Sequence, residues 1–187
     1  MATGFSIDNF TSALKKGGAL TSLFKCELTL AKGTGSTALT TGTDKLLFMC
    51  KGVVFPQSQI ESTAIEYMGR SINIPSNRPA GTITTTIYND EGFAIRNHIE
   101  NWMELINSHY NNTRQSGLEG ILSYTGKMKI SQMPKDGSSA ATKTYHIMDC
   151  WPSDTGEITL DWATNDIQTF DVVWEYNYWQ SSDSNIQ

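Results

Sequence analysis

Three histidines, three cysteines and a run of carboxylates are the side chains of this 187-residue chain that could do chemistry. His98 and His109 stand eleven residues apart, a poor spacing for holding one metal ion, so both are expected at exposed helix and loop positions. His146, Asp149 and Cys150 supply the parts of a thiol nucleophile, its base and an orienting carboxylate. On one extended strand, however, His146 and Asp149 point to opposite faces, and four residues of strand span roughly 13 Å, so no triad forms locally. Gly33-Thr34-Gly35 lacks the third glycine and the lysine of a phosphate-binding loop. Cys26, Cys50 and Cys150 are odd in number and far apart, which excludes a disulfide scaffold and a paired-cysteine zinc motif; reduced, partly buried thiols are expected. The residues therefore point to no catalytic constellation, no metal and no cofactor, and to a structural or interaction domain.

Charge is the stronger signal. Fourteen basic and nineteen acidic side chains give a net charge of -5, which argues against a protein that grips nucleic acid by its phosphates. Lys143 is the last cation; the residues after it carry eight acids and no lysine or arginine. Among those acids, Glu157, Asp161, Asp171 and Glu175 alternate with apolar residues. They read either as an ordinary solvated sheet face or as a surface that faces a polyanion without holding it.

The elements that must position these residues follow from periodicity. A composition of 39% hydrophobic and 18% charged residues describes one folded domain over residues 1–187. No leader sequence is evident at the start, and no apolar run approaches the roughly 20 residues of a membrane span, so no membrane anchor is expected. Ser6 to Lys16 reads as a short helix, capped by Ser6, with Ile7, Phe10 and Leu14 on one face and Gly17-Gly18 as its stop. Phe24–Leu30 alternates as a half-buried strand. Residues 31–44 are almost entirely Gly, Thr, Ser and Ala, a long excursion that cannot build a core. Leu46–Phe55 reads as a buried strand ending at Pro56, and Thr82–Tyr88 as a strand with Ile83, Thr85 and Ile87 on one side. An amphipathic helix over residues 90–108, capped by Asn89 or Asp90, carries Ile95, Ile99, Trp102 and Ile106 inward and Arg96, Glu100 and Glu104 outward. Lys127–Ile130 reads as a short strand. Residues 157–178 read as an acidic hairpin, with Ile158, Leu160, Trp162, Phe170, Val172, Trp174, Tyr176 and Tyr178 as its core face. The sum is an α+β domain, mainly antiparallel β, a sandwich or barrel with one long external helix.

Several segments resemble a known family in their order. Phe10 through Gly17-Gly18-Ala19 to Phe24-Lys25-Cys26-Glu27-Leu28 resembles the opening of tail tube proteins from contractile-tailed bacteriophages. Ile65-Glu66-Tyr67-Met68-Gly69-Arg70, followed by Ile74-Pro75-Ser76-Asn77-Arg78, resembles their middle strand and its Pro-x-x-Arg turn. Thr86-Ile87-Tyr88-Asn89-Asp90-Glu91-Gly92-Phe93-Ala94-Ile95-Arg96, running on to Ile99-Glu100-Asn101-Trp102, is similar to their strand-to-helix junction and external helix.

The resemblance implies a non-enzymatic virion protein whose copies join by strand edges into homohexameric rings. The rings stack into the hollow inner tube of a contractile tail, through which the genome passes without specific binding. It also implies sheath, tape measure, baseplate and tail terminator proteins as partners, and synthesis and assembly in the host cytoplasm. Under this reading Glu157, Asp161, Asp171 and Glu175 would line an acidic lumen. Lys32, Gly33, Thr34, Gly35, Thr41, Gly42 and Asp44 would belong to an arm over residues 31–44 that reaches the adjacent ring. Arg96, Glu100 and Glu104 would face the sheath or a neighbour. Two alternatives stay open: the tube of a phage-derived secretion or bacteriocin particle, and a monomeric carbohydrate-binding β-sandwich using Trp151 and Trp179.

Overall fold

The computed structural model describes residues 6–14, 17–29 and 46–182. The arm expected over residues 31–44, with Lys32, Gly33, Thr34, Gly35, Thr41, Gly42 and Asp44, lies outside the described residues.

Alternation of apolar and polar residues builds most of the sheet. In β1 (Phe24–Thr29) Cys26 and Leu28 point inward; in β5 (Thr82–Tyr88) Ile83, Thr85 and Ile87 do. In β6 (Gly126–Gln132) it is Met128 and Ile130, and in β8 (Thr169–Glu175) Phe170, Val172 and Trp174. Together with β2 (Cys50–Val53), β7 (Lys143–Thr155) and β9 (Tyr178–Ser181) these strands form one antiparallel sheet, ordered β1-β6-β7-β8-β5-β2, with β9 also pairing β7.

The long strand β7 makes this sheet fold over on itself. Its first half pairs β6 and β9, and its second half pairs β8. Between the halves Asp149 is the extra residue of a bulge, with φ of 55°, and a second irregularity lies between Pro152 and Asp154. Bulges of this kind bend a strand and let it pass from one sheet to the other. Pro152 sits inside the strand, paired with Trp174. The halves close over a shared core but not into a barrel: β1 and β2 stand at opposite ends of the strand order and do not pair. Cys26 and Cys50 nevertheless come close enough for each thiol to affect the other.

Helix α1 (Ile7–Ala13) is capped as expected, Ser6 Oγ accepting from the Asp8 amide at 3.2 Å. Its apolar face is not buried, however: Ile7, Phe10 and Leu14 are all exposed. Helix α2 (Ala94–Ile106) is shorter than the 90–108 span expected of it. It begins later because Phe93 takes a left-handed conformation at the N-cap, while the Asp90 carboxylate still accepts the Ala94 amide at 2.9 Å. Ile95, His98, Ile99 and Trp102 are its buried residues. Trp102 meets Trp174 with ring centroids 5.8 Å apart and donates its indole N–H to the Tyr124 carbonyl at the end of α3 (Ile121–Tyr124). Gly126 lies so close that a Cβ there would stand 2.9 Å from the Thr29 carbonyl oxygen and 3.0 Å from the Trp102 ring.

Four further expectations are corrected. Residues 46–49 are helical rather than strand, with Leu46 turned into the core and Phe48 out, so the strand there is only β2. Ile65 to Arg70 is not one strand but the end of a hairpin, β3 (Ser62–Tyr67) and β4 (Arg70–Pro75). Its turn is Met68-Gly69, both with positive φ (49° and 76°), the twist a two-residue hairpin loop needs. Glu157–Trp162 forms no strand in spite of its alternation; residues 156–168 are an irregular connection from which Leu160 and Trp162 project into solvent. His98 is buried edge-on against Trp102, not exposed.

Candidate functional site

Polar residues at alternate positions leave one broad face of the folded sheet uncovered. On the β5–β8 half, Thr82, Thr84 and Thr86 stand opposite Glu175, Val173 and Asp171. The bulged end of β7 adds Asp154 beside Val173. Thr86 donates to the Asp171 carboxylate at 2.6 Å, tying the two strands on this side. Directly beneath, on the core side, Trp174 donates its indole N–H to the Thr85 hydroxyl at 2.9 Å, both side chains fully buried. Asp154, Asp171 and Glu175 are thus the acids of this face, and Lys51 at the β2 edge lies over the Tyr88 ring at its end.

The other half carries the opposite sign. Lys25 and Glu27 of β1 and Lys127 and Lys129 of β6 face outward, Lys129 pairing with Glu27 at 3.0 Å. The Asp149 bulge marks the border between the acidic and basic halves.

The four carboxylates singled out in the sequence do not share a site. Asp171 and Glu175 lie on the β8 face, whereas Glu157 and Asp161 are in the 156–168 connection. Asp154 joins the face instead. Periodicity could not select it, since the second irregularity in β7 shifts the register just before it.

The helix residues are held within the subunit. Arg96 pairs with Glu100 at 2.7 Å, donates to the Gly156 carbonyl at 3.0 Å and stacks over Phe170. Glu104 accepts the Ser108 hydroxyl and the His109 amide, and these bonds hold its carboxyl below the usual value. Arg96 therefore anchors the start of the 156–168 connection, while Glu100 and Glu104 keep outward-facing oxygens.

The thiols belong to the core. Burial pushes Cys150 up to about 12, a protonated and unreactive group, so the His146–Asp149–Cys150 set has no nucleophile. The hydrogen bond between Cys26 and Cys50 raises the first and lowers the second. Trp151 and Trp179 are both packed partly against the core, Trp179 donating to the Gln57 carbonyl, so they make no open platform for a sugar. Among the described residues no group of three or more His, Cys, Asp or Glu could hold a metal ion, and no helix is long and apolar enough to cross a membrane.

Two further surfaces are unfinished in the single chain. Every residue of the β3–β4 hairpin is exposed, and β1 and β2 each pair on one side only among the described residues.

A family model described as phage tail tube protein matches residues 19–182. Over 135 residues the chain is 30% identical to the tail tube protein gp19 of Enterobacteria phage T4, covering 71% of this chain and 80% of that protein. The match to gp19 of Enterobacteria phage T6 has the same identity and extent. Its fold is similar to a chain of the PVC sheath–tube complex of an extracellular contractile injection system, in the extended state. There the TM-score is 0.60 at 13% identity, over 91% of this chain and 96% of that one. It is also similar to a chain of the tube-terminating cap of the anti-feeding prophage, with a TM-score of 0.59 at 13% identity, over 87% and 89%.

Proposed function

Because the chain belongs to the phage tail tube protein family, a structural and not an enzymatic family, we propose that its copies form homohexameric rings that stack into the inner tube of a contractile tail. The tube is then the conduit for genome ejection, and the sheath, tape measure, baseplate and tail terminator proteins are its neighbours in the virion tail. Outer edges of β1 and β2 with no partner strand among the described residues support this reading, since edges left open in a monomer are a liability that ring formation removes.

The observation that carries the conduit is the Thr-rich acidic face of β5, β8 and the end of β7. We assign it to the lumen. A wall that lets DNA slide must not hold its phosphates, and each lysine that neutralises a phosphate adds favourable counterion release, binding the duplex at every repeat. Asp154, Asp171 and Glu175 repel the backbone, while the threonines keep the surface polar without charge. Glu157 and Asp161 take no part in this wall. Arg96, Glu100 and Glu104 lie on the helix side, where Glu100 and Glu104 are placed to meet the sheath.

Replacing Asp154, Asp171 and Glu175 together with lysine tests the assignment in assembled particles. Tubes of normal form with slowed, salt-sensitive genome ejection are the expected result. Ejection at the wild-type rate through normal tubes refutes the luminal placement.

A further inference from the structure

The β3–β4 hairpin is amphipathic, and none of the described residues of its own chain covers either side. Thr63, Ile65, Tyr67, Arg70, Ile72 and Ile74 share one face, set by the cross-strand pairs Thr63–Ile74, Ile65–Ile72 and Tyr67–Arg70. The opposite face is Ser62, Ala64, Glu66, Ser71, Asn73 and Pro75. Four large apolar side chains thus project from a two-stranded ribbon, 44 to 62% exposed. Such a ribbon is marginally stable in water unless something lies on its apolar face.

A complementary surface exists at the other end of the same sheet. β4 leads directly into β5 at Thr82, so the hairpin extends from that end. The 156–168 connection rejoins the sheet beside Tyr88, the far end of β5, where Thr169 pairs with Tyr88 and the Asn89 amide donates to the Gln168 carbonyl. Seven residues of strand, about 20 Å, separate the two ends. Leu160, Trp162 and Ile167 of the connection are 75%, 106% and 73% exposed. Asp161 and Asp166 lie between them and Glu157 just before, and residues 156–168 contain no lysine or arginine. The ribbon's apolar face carries the converse, one arginine and no acid.

We propose, building on the tube reading, that the apolar face of the β3–β4 ribbon of one copy seats on the 156–168 connection of a second copy in the next ring. Ile65, Ile72 and Ile74 cover Leu160 and Trp162, and Arg70 meets Asp161 and Asp166. Opposite ends of one sheet meet head to tail, so each contact leaves a fresh ribbon and a fresh connection outward; it propagates instead of closing. A ribbon-to-ribbon contact would bring two copies of Arg70 together and stop at a pair. The alternating Glu157–Trp162 segment, strand-like in sequence and irregular in the free subunit, gains on the second copy the neighbour that its pattern lacks.

The test uses the full chain with Ile72→Asp, which spoils the ribbon, and Trp162→Asp, which spoils the connection. Both positions are exposed, so the melting temperature of the unassembled subunit should not move; Ile65→Asp and Leu160→Asp replace either variant that unfolds. Each variant alone should need roughly tenfold or more protein to form sedimentable tubes, the effect of losing a central apolar anchor. Mixed in equal amounts, they should form stacks two layers deep in negative-stain micrographs, because one good contact is restored and the next is not. Wild-type tubes accompanied by normal tubes from either variant, or a mixture no better than its parts, overturn the inference and leave the tube reading standing. A wild-type chain that never assembles overturns both.

Discussion

The buried bond between Trp174 and Thr85 holds β8 against β5 directly beneath the proposed lumen face, and its removal can be followed quantitatively. Thr85→Val keeps shape and volume but leaves the indole N–H without an acceptor in a fully buried place. An orphaned buried donor costs about 1–3 kcal/mol; at about 2 kcal/mol, and about 3 °C per kcal/mol for a chain of this size, the melting temperature falls by about 6 °C. Trp174→Phe loses about 2 kcal/mol of apolar burial and orphans the Thr85 hydroxyl for about 1 kcal/mol more. The double variant orphans nothing and should lose only the burial, about 2 kcal/mol against the sum of about 5 for the two single changes. Urea unfolding followed by circular dichroism measures all four proteins, at concentrations below assembly, since polymer formation adds apparent stability by mass action. Single changes that add to within about 0.5 kcal/mol would refute the reasoning.

Two further outcomes are expected. Gly126→Ala should destabilise the subunit by about 1–3 kcal/mol in the same unfolding measurement, because its methyl meets the Thr29 carbonyl oxygen at 2.9 Å, backbone that cannot step aside. In mass spectra of the native subunit treated with iodoacetamide at mildly alkaline pH, Cys50 should be modified before Cys26 and Cys150. As pH rises from the ordinary thiol value of 9.0 toward about 12, the unfolded chain loses the Cys150 proton while the folded chain keeps it. Stability therefore falls across that window, and Cys150→Ala should flatten the fall.

The strands that bury one side against the core were legible because alternation states which side that is: Cys26 and Leu28, Ile83 to Ile87, and Phe170 to Trp174 all point inward as read. The same pattern misled at Glu157–Trp162. Alternation names the face a strand would bury but supplies no neighbouring edge, and the described residues offer none. Leu46 to Met49 is a short apolar run, which periodicity cannot divide between helix and strand. The β3–β4 turn was hidden because Met68 stands where Asn or Asp usually announces such a loop. Of the acidic face, Asp171 and Glu175 were legible by period two, and Asp154 was not, since an irregularity in register is invisible to counting. The Cys26–Cys50 contact joins residues from the two ends of the strand order, and only the folding over of the sheet brings them together.

One consequence of β7 concerns mechanics. Thirteen residues of continuous backbone, about 40 Å, run through both halves of the folded sheet. A load applied to the basic half reaches the acidic half along covalent bonds, without having to shear the core or unzip a row of hydrogen bonds. In the proposed tube, a wall built from such subunits would resist splitting between the two halves of each sheet.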